Sequence, residues 1–329
     1  MILCVLSAFS GVALFFYGLK IISEAAEHLS KTRFSKTIER RMKSPLGAFG
    51  TGIIVSACLQ SSVATNMLAV GLVQSKSASF LSAGYAVMGA NIGTTITTQL
   101  ISFSKIFTVG LSVFMLIIGL LTDFCKSIEV KAFGKIFTGT GIILTAVGII
   151  SHEAAELTDI PFIETMFTSD KEWLLVLNGF FLTSLAQSSS PITGTLIAFS
   201  KSGAVSFRSS AFMILGANIG SSVPVAIMSL KKEDEARRTA FFNLWFNVFA
   251  LMLFYPVLIF FGNEIESFFI ARGTARAIAN FNTAANLIPA VVALPLYPLI
   301  YKLKTNPHVN KRKNNRREKS FNVKSRSNI

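Results

Sequence analysis

Gln60-Ser61-Ser62, followed by Gly89-Ala90-Asn91-Ile92-Gly93, is written a second time as Gln187-Ser188-Ser189 and Gly216-Ala217-Asn218-Ile219-Gly220. The offset is 127 residues for both motifs (187 − 60 and 216 − 89), so neither copy has gained or lost a residue between them. This is an internal duplication, and it extends upstream to Ser23-Glu24-Ala25-Ala26-Glu27 and Ser151-His152-Glu153-Ala154-Ala155-Glu156. Both copies lie inside long apolar runs, so the same small hydroxyl and amide side chains are set into apolar surroundings twice.

Those surroundings are a bilayer. Hydrophobic residues make up 51% of the 329 positions, and uncharged runs recur from Met1 to Tyr301, far more than the core of a soluble domain of this length requires. Met1–Ile22 lacks the basic start of a secretory signal and leads into a duplicated segment, so it reads as a retained span. Cys4, Cys58 and Cys125 have no CxxC or Cys/His spacing, which excludes a zinc site or a disulfide framework and leaves them as packing residues. The histidines, His28, His152 and His308, stand in no HExxH setting, so an enzyme is not expected. Residues 302–329 hold ten Lys or Arg against one acid, Glu318. Beside a membrane span this run reads as a disordered cytoplasmic tail touching anionic lipid rather than as a nucleic-acid arm.

Full-length spans are expected near 2–22, 78–101, 104–122, 136–151, 205–230, 239–262 and 277–301. Residues 45–73 and 173–199 fit neither one crossing nor two, and each has Gln-Ser-Ser at its centre. Two half-helices meeting at that tip, a re-entrant hairpin, account for the length and the polarity; one long tilted helix is the alternative. The loops preceding these segments carry opposite charge. Residues 24–44 hold six bases and three acids, whereas residues 152–172 hold one base and six acids. The first is therefore expected in the cytoplasm and the second outside, giving an all-α membrane protein built from two inverted repeats. Each repeat is expected to hold a re-entrant Gln-Ser-Ser hairpin and a helix broken at its Gly-Ala-Asn-Ile-Gly block, whose paired glycines lower helix propensity and permit close backbone approach. The divisions read as 1–125 and 126–235 for the repeats, 236–301 for C-terminal helices and 302–329 for the tail, with the C-terminus inside and a bacterial cytoplasmic membrane as the location.

Over residues 5–300 the chain resembles the sodium-dependent phosphate cotransporters, type II and their bacterial relatives. The two Gln-Ser-Ser blocks carry the resemblance, with the two Gly-Ala-Asn-Ile-Gly blocks, the Thr94-Thr95 and Ser221-Ser222 pairs after them, and a smaller repeat. That repeat aligns Ala236-Arg237, Ala240, Phe242-Asn243, Asn247 and Pro256 with Ala275-Arg276, Ala279, Phe281-Asn282, Asn286 and Pro295. The resemblance implies inverted halves whose Gln-Ser-Ser hairpins meet at one site and couple inward sodium movement to phosphate uptake. Departures are Val63, where the family often has a third serine, and Asn243 and Asn282, where many relatives carry His.

The residues suit that chemistry on their own account. Phosphate needs many donors, and Ser61, Ser62, Ser188, Ser189 and Ser190 supply hydroxyls beside half-helix N-termini. Sodium needs hard neutral oxygens, for which Gln60, Asn91, Thr94, Thr95, Gln187, Asn218, Ser221 and Ser222 are the candidates. No Arg or Lys lies within either block, so bound sodium ions are expected to offset the desolvation cost of the anion. No cofactor other than sodium is expected, and the partners are phosphate, sodium and lipid, with a homo-oligomer left open. Sulfate or a carboxylate on the same scaffold, or phosphate export, are the alternatives. The asparagine pairs Asn243/Asn247 and Asn282/Asn286, each one helical turn apart, read as inter-helix hydrogen-bonding residues.

Overall fold

A computed structural model describes residues 2–30, 33–103, 105–158 and 160–305. Among them all regular structure is helical: α1 (Ile2–Ser30), α2 (Arg33–Arg41), α3 (Pro45–Leu59), α4 (Ser62–Gln74), α5 (Phe80–Gly93), α6 (Thr95–Ile101), α7 (Lys105–Thr122), α8 (Ile128–Thr158), α9 (Pro161–Thr168), α10 (Glu172–Ala186), α11 (Ser189–Lys201), α12 (Phe207–Gly220), α13 (Val223–Met228), α14 (Asp234–Phe269) and α15 (Thr274–Thr305). Met1–Pro289 form one compact unit, and a second begins at Ala290, of which the end of α15 is described. Most of the expected basic tail lies outside the described residues.

Among the described residues, five helical stretches are long and apolar enough to cross a bilayer: Leu3–Ile22, Ile128–Ala154, Phe207–Met228, Asp234–Phe269 and Thr274–Leu299. The outer faces of these and of shorter apolar helices such as α7 are strongly apolar. Along α7 alone Phe107, Val109, Val113, Phe114, Ile117, Leu120 and Leu121 are exposed, an arrangement that water would penalise and hydrocarbon accepts. Several helices outrun the apolar windows that mark them. The window at 136–151 lies inside a 31-residue helix, because the backbone ladder continues through polar flanks such as Lys131 and Glu153. In α14, Pro256 is followed by a non-helical Phe261 (φ −126°, ψ 23°), which kinks it.

The duplication is reproduced residue for residue in the helices around each Gln-Ser-Ser. Helices α3, α4 and α5 begin and end at positions that, moved by the same offset, are the ends of α10, α11 and α12. Gln60 is left-handed (φ 49°, ψ 28°) and Ser61 extended; Gln187 (φ 55°, ψ 18°) and Ser188 repeat this. A left-handed residue followed by an extended one ends the helix, which excludes the single long tilted helix. The direction after the break follows from the glycines. Gly89 and Gly93 of α5 abut the carbonyls of Phe49 and Ile53, so α3 and α5 run the same way. Because α5 starts shortly after α4 ends, α4 must travel back toward the start of α3; accordingly Lys43 and Val73 line one cavity of about 390 Å³. In the second copy Gly216 and Gly220 abut Val176 and Phe180, and the return is tied by an ion pair of 2.9 Å from Arg208 to Glu172.

The equivalent helices α1 and α8 lie antiparallel along each other. Cys4 donates to Glu156 at 2.6 Å and Ser7 to Glu153 at 3.1 Å, while further along α1 Gly18 sits against Gly139. Phe15, Ile22, Ile143 and Leu144 seal this contact. One expectation is corrected. None of the three cysteines is buried: Cys125 is exposed, and Cys4 and Cys58 are half-exposed, Cys4 being held at the surface by its hydrogen bond to Glu156. The Gly-Ala-Asn-Ile-Gly blocks do interrupt the helix: α5 ends at Gly93 and α12 at Gly220, and α6 and α13 start after them at Thr95 and Val223. Thr94, Ser221 and Ser222 keep right-handed helical angles, because the hydroxyls of Thr94, Thr95 and Ser221 bond carbonyls three residues back and loosen the ladder without leaving the helical basin.

Candidate functional site

The two tips have one backbone and different surroundings. A left-handed glutamine costs about 1 kcal/mol that glycine would not, so keeping Gln at both tips argues that the side chain is needed there. Gln60 is buried, donates from Nε2 to Thr140 Oγ1 on α8 at 2.7 Å, and leaves Oε1 without a partner. Gln187 is exposed. The sequence breaks the symmetry itself: upstream the copies stand 128–129 residues apart (Ser23 with Ser151, Glu24 with Glu153), and the stretch of α1 that corresponds to Thr140, Gly11-Val12, offers no hydroxyl. Ser61 caps α4 by accepting from Ala64 N at 3.1 Å, whereas Ser188, at the same position of α11, makes no side-chain cap. Ser62 and Ser190 are buried and Ser189 is half-buried. No hydrogen bond joins Ser61 or Ser62 to Ser188, Ser189 or Ser190 among the described residues.

What the structure does join is the other pair of blocks. Asn91 Nδ2 donates to Asn243 Oδ1 at 2.9 Å; Asn247 Nδ2 donates to Ser222 Oγ at 2.7 Å and to Asn243 Oδ1 at 3.4 Å. Asn91 belongs to the first copy and Ser222 to the second, so two asparagines of α14 bridge the duplication. The reading of Asn243 and Asn247 as inter-helix residues holds, and Asn282 behaves likewise, donating to Thr98 Oγ1 at 3.0 Å. Among the described residues Asn286 bonds within α15, donating to the carbonyl and to Oδ1 of Asn282. Asn218, the counterpart of Asn91, is buried with its Nδ2 unpartnered.

The arms are also crossed between copies. Helix α4 packs against α13, the short helix after the second Gly-Ala-Asn-Ile-Gly, and α11 packs against α6, its equivalent after the first. Each Gln-Ser-Ser segment therefore borders the other copy's block.

Sequence reasoning missed several polar residues of this interior. Ser56 and Thr183 are equivalents under the offset; both are buried with an unpartnered hydroxyl, and the aligned hydroxyls were the available signal. Asn66, one turn beyond Ser62, is 1% exposed with both amide atoms unpartnered. Asn243 Nδ2 and Asn247 Oδ1 add to the set. Unspent hydrogen-bonding groups at such burial cost about 1–3 kcal/mol each if nothing meets them, and they are the valences a polar ligand uses. All are neutral. Among the described residues no group of three His, Cys, Asp or Glu is placed to hold a metal ion, and the donor set is of hard neutral oxygens and amide N–H groups.

A family model described as Na+/Pi-cotransporter matches residues 14–152 and 162–287. The chain belongs to the Na+/Pi-cotransporter family. It is 28% identical over 302 residues to "Uncharacterized protein YqeW" of Bacillus subtilis, covering 91% of this chain and 97% of that one. It is 26% identical over 298 residues to "Putative inorganic phosphate export protein YjbB" of Escherichia coli, and 24% identical over 303 residues to the protein of the same name in Salmonella typhimurium. Those matches cover 89% and 91% of this chain but 54% of each relative, so the chain spans about half the length of the export proteins. No solved structure matches. The family is one of transporters, and the apolar helices make this member a multi-pass membrane protein.

Proposed function

We propose that the chain carries inorganic phosphate across the membrane by alternating access between two inverted halves, 1–125 and 126–235, followed by the C-terminal transmembrane helices of 236–301, with sodium as the coupling ion. The observation that carries this reading is the hydrogen-bonded path from Asn91 through Asn243 and Asn247 to Ser222, which unites the duplicated blocks around buried neutral groups that suit an ion. The antiparallel course of the equivalent helices α1 and α8 supports inversion, since parallel repeats would set equivalents parallel. The return of α4 and α11 to the side on which α3 and α10 start supports re-entrant hairpins. Ser61, Ser62, Ser188, Ser189 and Ser190 are the proposed phosphate ligands. Gln60, Asn91, Thr94, Thr95, Gln187, Asn218, Ser221 and Ser222 are proposed for sodium.

Neutral ligands alone leave a multivalent anion short of positive charge in low dielectric, which favours obligatory coupling to a cation. Vesicles with an inward sodium gradient are therefore expected to accumulate phosphate, and vesicles with potassium in its place are not. Equal uptake would point to another coupling ion or to a channel. A second reading, export, is favoured by the names of the relatives from Escherichia coli and Salmonella typhimurium. Inverting the sodium gradient in the same vesicles separates the two by the direction of net phosphate movement.

Inversion has its own test. Lys43 and Asp170 are equivalents under the offset, both exposed at the starts of their segments. Lys43→Cys is expected to react with a membrane-impermeant thiol reagent from the cytoplasmic face and Asp170→Cys from the outer face. Reaction of both from one face contradicts inverted repeats.

A further inference from the structure

The far ends of the two hairpins carry a feature that the transport site does not use. Lys201, the last residue of α11, donates from Nζ to the carbonyl of Ile101 at 2.7 Å, and Ile101 is the last residue of α6 in the other copy. Its equivalent under the duplication, Gln74, is the last residue of α4 and accepts at Oε1 from the backbone N–H of Glu233 at 3.2 Å, just beyond α13. The two contacts thus tie equivalent arms across the copies, Lys201 to the end of α6 and Gln74 to the residue directly before α14, and they do so near different starts: Gln74 lies near the start of α3, Lys201 near the start of α10.

Each tie stands next to a left-handed residue. Lys76 has φ 60° and Gly203 φ 81°, again one offset apart, and the tips Gln60 and Gln187 are left-handed too. Each returning arm, α4 or α11, therefore runs between two backbone positions able to absorb a change of direction. The ties are unequal in strength. Lys201 brings a full charge to the negative end of α6, where Arg276 also donates, to the carbonyl of Gln99 at 3.2 Å and to Ser102 Oγ at 2.9 Å. Gln74 is neutral and its contact is exposed.

We infer that Lys201 and Gln74 are positioning residues of the transport cycle, a strong and a weak latch on opposite faces whose release lets each face reach the hairpin tips in turn. This rests on the alternating-access reading above. Neither residue touches the ligand; each acts by holding an arm against the other half.

The native Cys58, two residues before the Gln60 tip, is the reporter, in the full chain carrying Cys4→Ser and Cys125→Ser. Its modification by a membrane-impermeant maleimide is timed from each face of sealed vesicles. Lys201→Met is expected to raise the rate from the Lys201 face about fivefold and lower it from the other, whereas Lys201→Arg, which keeps the charged donor, follows the parent. Gln74→Leu is expected to shift labelling the opposite way, by about twofold. Equal changes at both faces, no change in either variant, or no labelling from any face overturns the inference. Phosphate flux is read in the same vesicles. Shifted labelling without flux in the parent removes the transport reading and leaves the latches; flux with unshifted labelling removes the latches alone.

Discussion

Gly216→Val is expected to leave almost no folded protein in the membrane. A Cβ at Gly216 meets the carbonyl of Val176 and, at 3.0 Å, the backbone nitrogen of Phe180, and at its equivalent, Gly89, the same atoms of Phe49 and Ile53 are met. These are backbone atoms of a facing helix, which cannot swing aside as a side chain does. The cost therefore exceeds the ~1–3 kcal/mol typical of overpacking, against a total stability of about 5–15 kcal/mol. Gly148 is the control. Its Cβ position is open, so Gly148→Ala inside α8 should be stabilising by ~0.5–1 kcal/mol through helix propensity. Monodisperse yield and thermal midpoint in detergent report both changes. A Gly216→Val protein with an ordinary midpoint would mean that α10 and α12 do not pack backbone to backbone.

Those glycines explain why so much was legible in the sequence. The offset between the copies fixes the lengths of α3, α4 and α5 and of their equivalents, and the polar centre of each apolar segment marks the break at Gln60 and Gln187. The Gly-Ala-Asn-Ile-Gly motif was readable as a place of close backbone approach, and it is one. The interruption was readable from the paired glycines as well, and α5 and α12 do end there; how mild it is was not readable. Whether Thr94 and Ser221 unwind a helix or merely cap within it depends on which carbonyls their hydroxyls reach, and both reach back inside the helical basin. The bridging by Asn243 and Asn247 was out of reach for a different reason. A one-turn spacing shows that two amides share a helix face, but what faces them is set by packing between segments some 150 residues apart. The difference between the tips was visible only as Gly11-Val12 standing where Thr140 has its hydroxyl, a signal without meaning until the partner of Gln60 is known.

The second large effect concerns the tips. Ser62→Ala removes a hydroxyl at a position only 6% exposed, and Ser189→Ala removes its equivalent. If these hydroxyls meet an anion that has no charged protein partner, each loss should cost ~1–3 kcal/mol, roughly five- to a hundredfold in apparent phosphate affinity. Ser75 and Ser202 are equally aligned serines at the far ends of the same segments, where their hydroxyls bond the carbonyls of Leu72 and Phe199. Replacing either by alanine should leave transport nearly unchanged, which separates a ligand role from a general sensitivity of the hairpins.

The central claim is that two copies of one motif build one site. Apparent phosphate affinity in the parent, Ser62→Ala, Ser189→Ala and the double variant, at matched surface levels under a sodium gradient, tests it most directly. One phosphate held by both tips predicts coupling, with the double variant departing from the product of the single effects by more than about twofold, or ~0.5 kcal/mol. Two single losses that multiply within that margin would contradict a shared site and leave each Gln-Ser-Ser with a ligand, or a packing role, of its own.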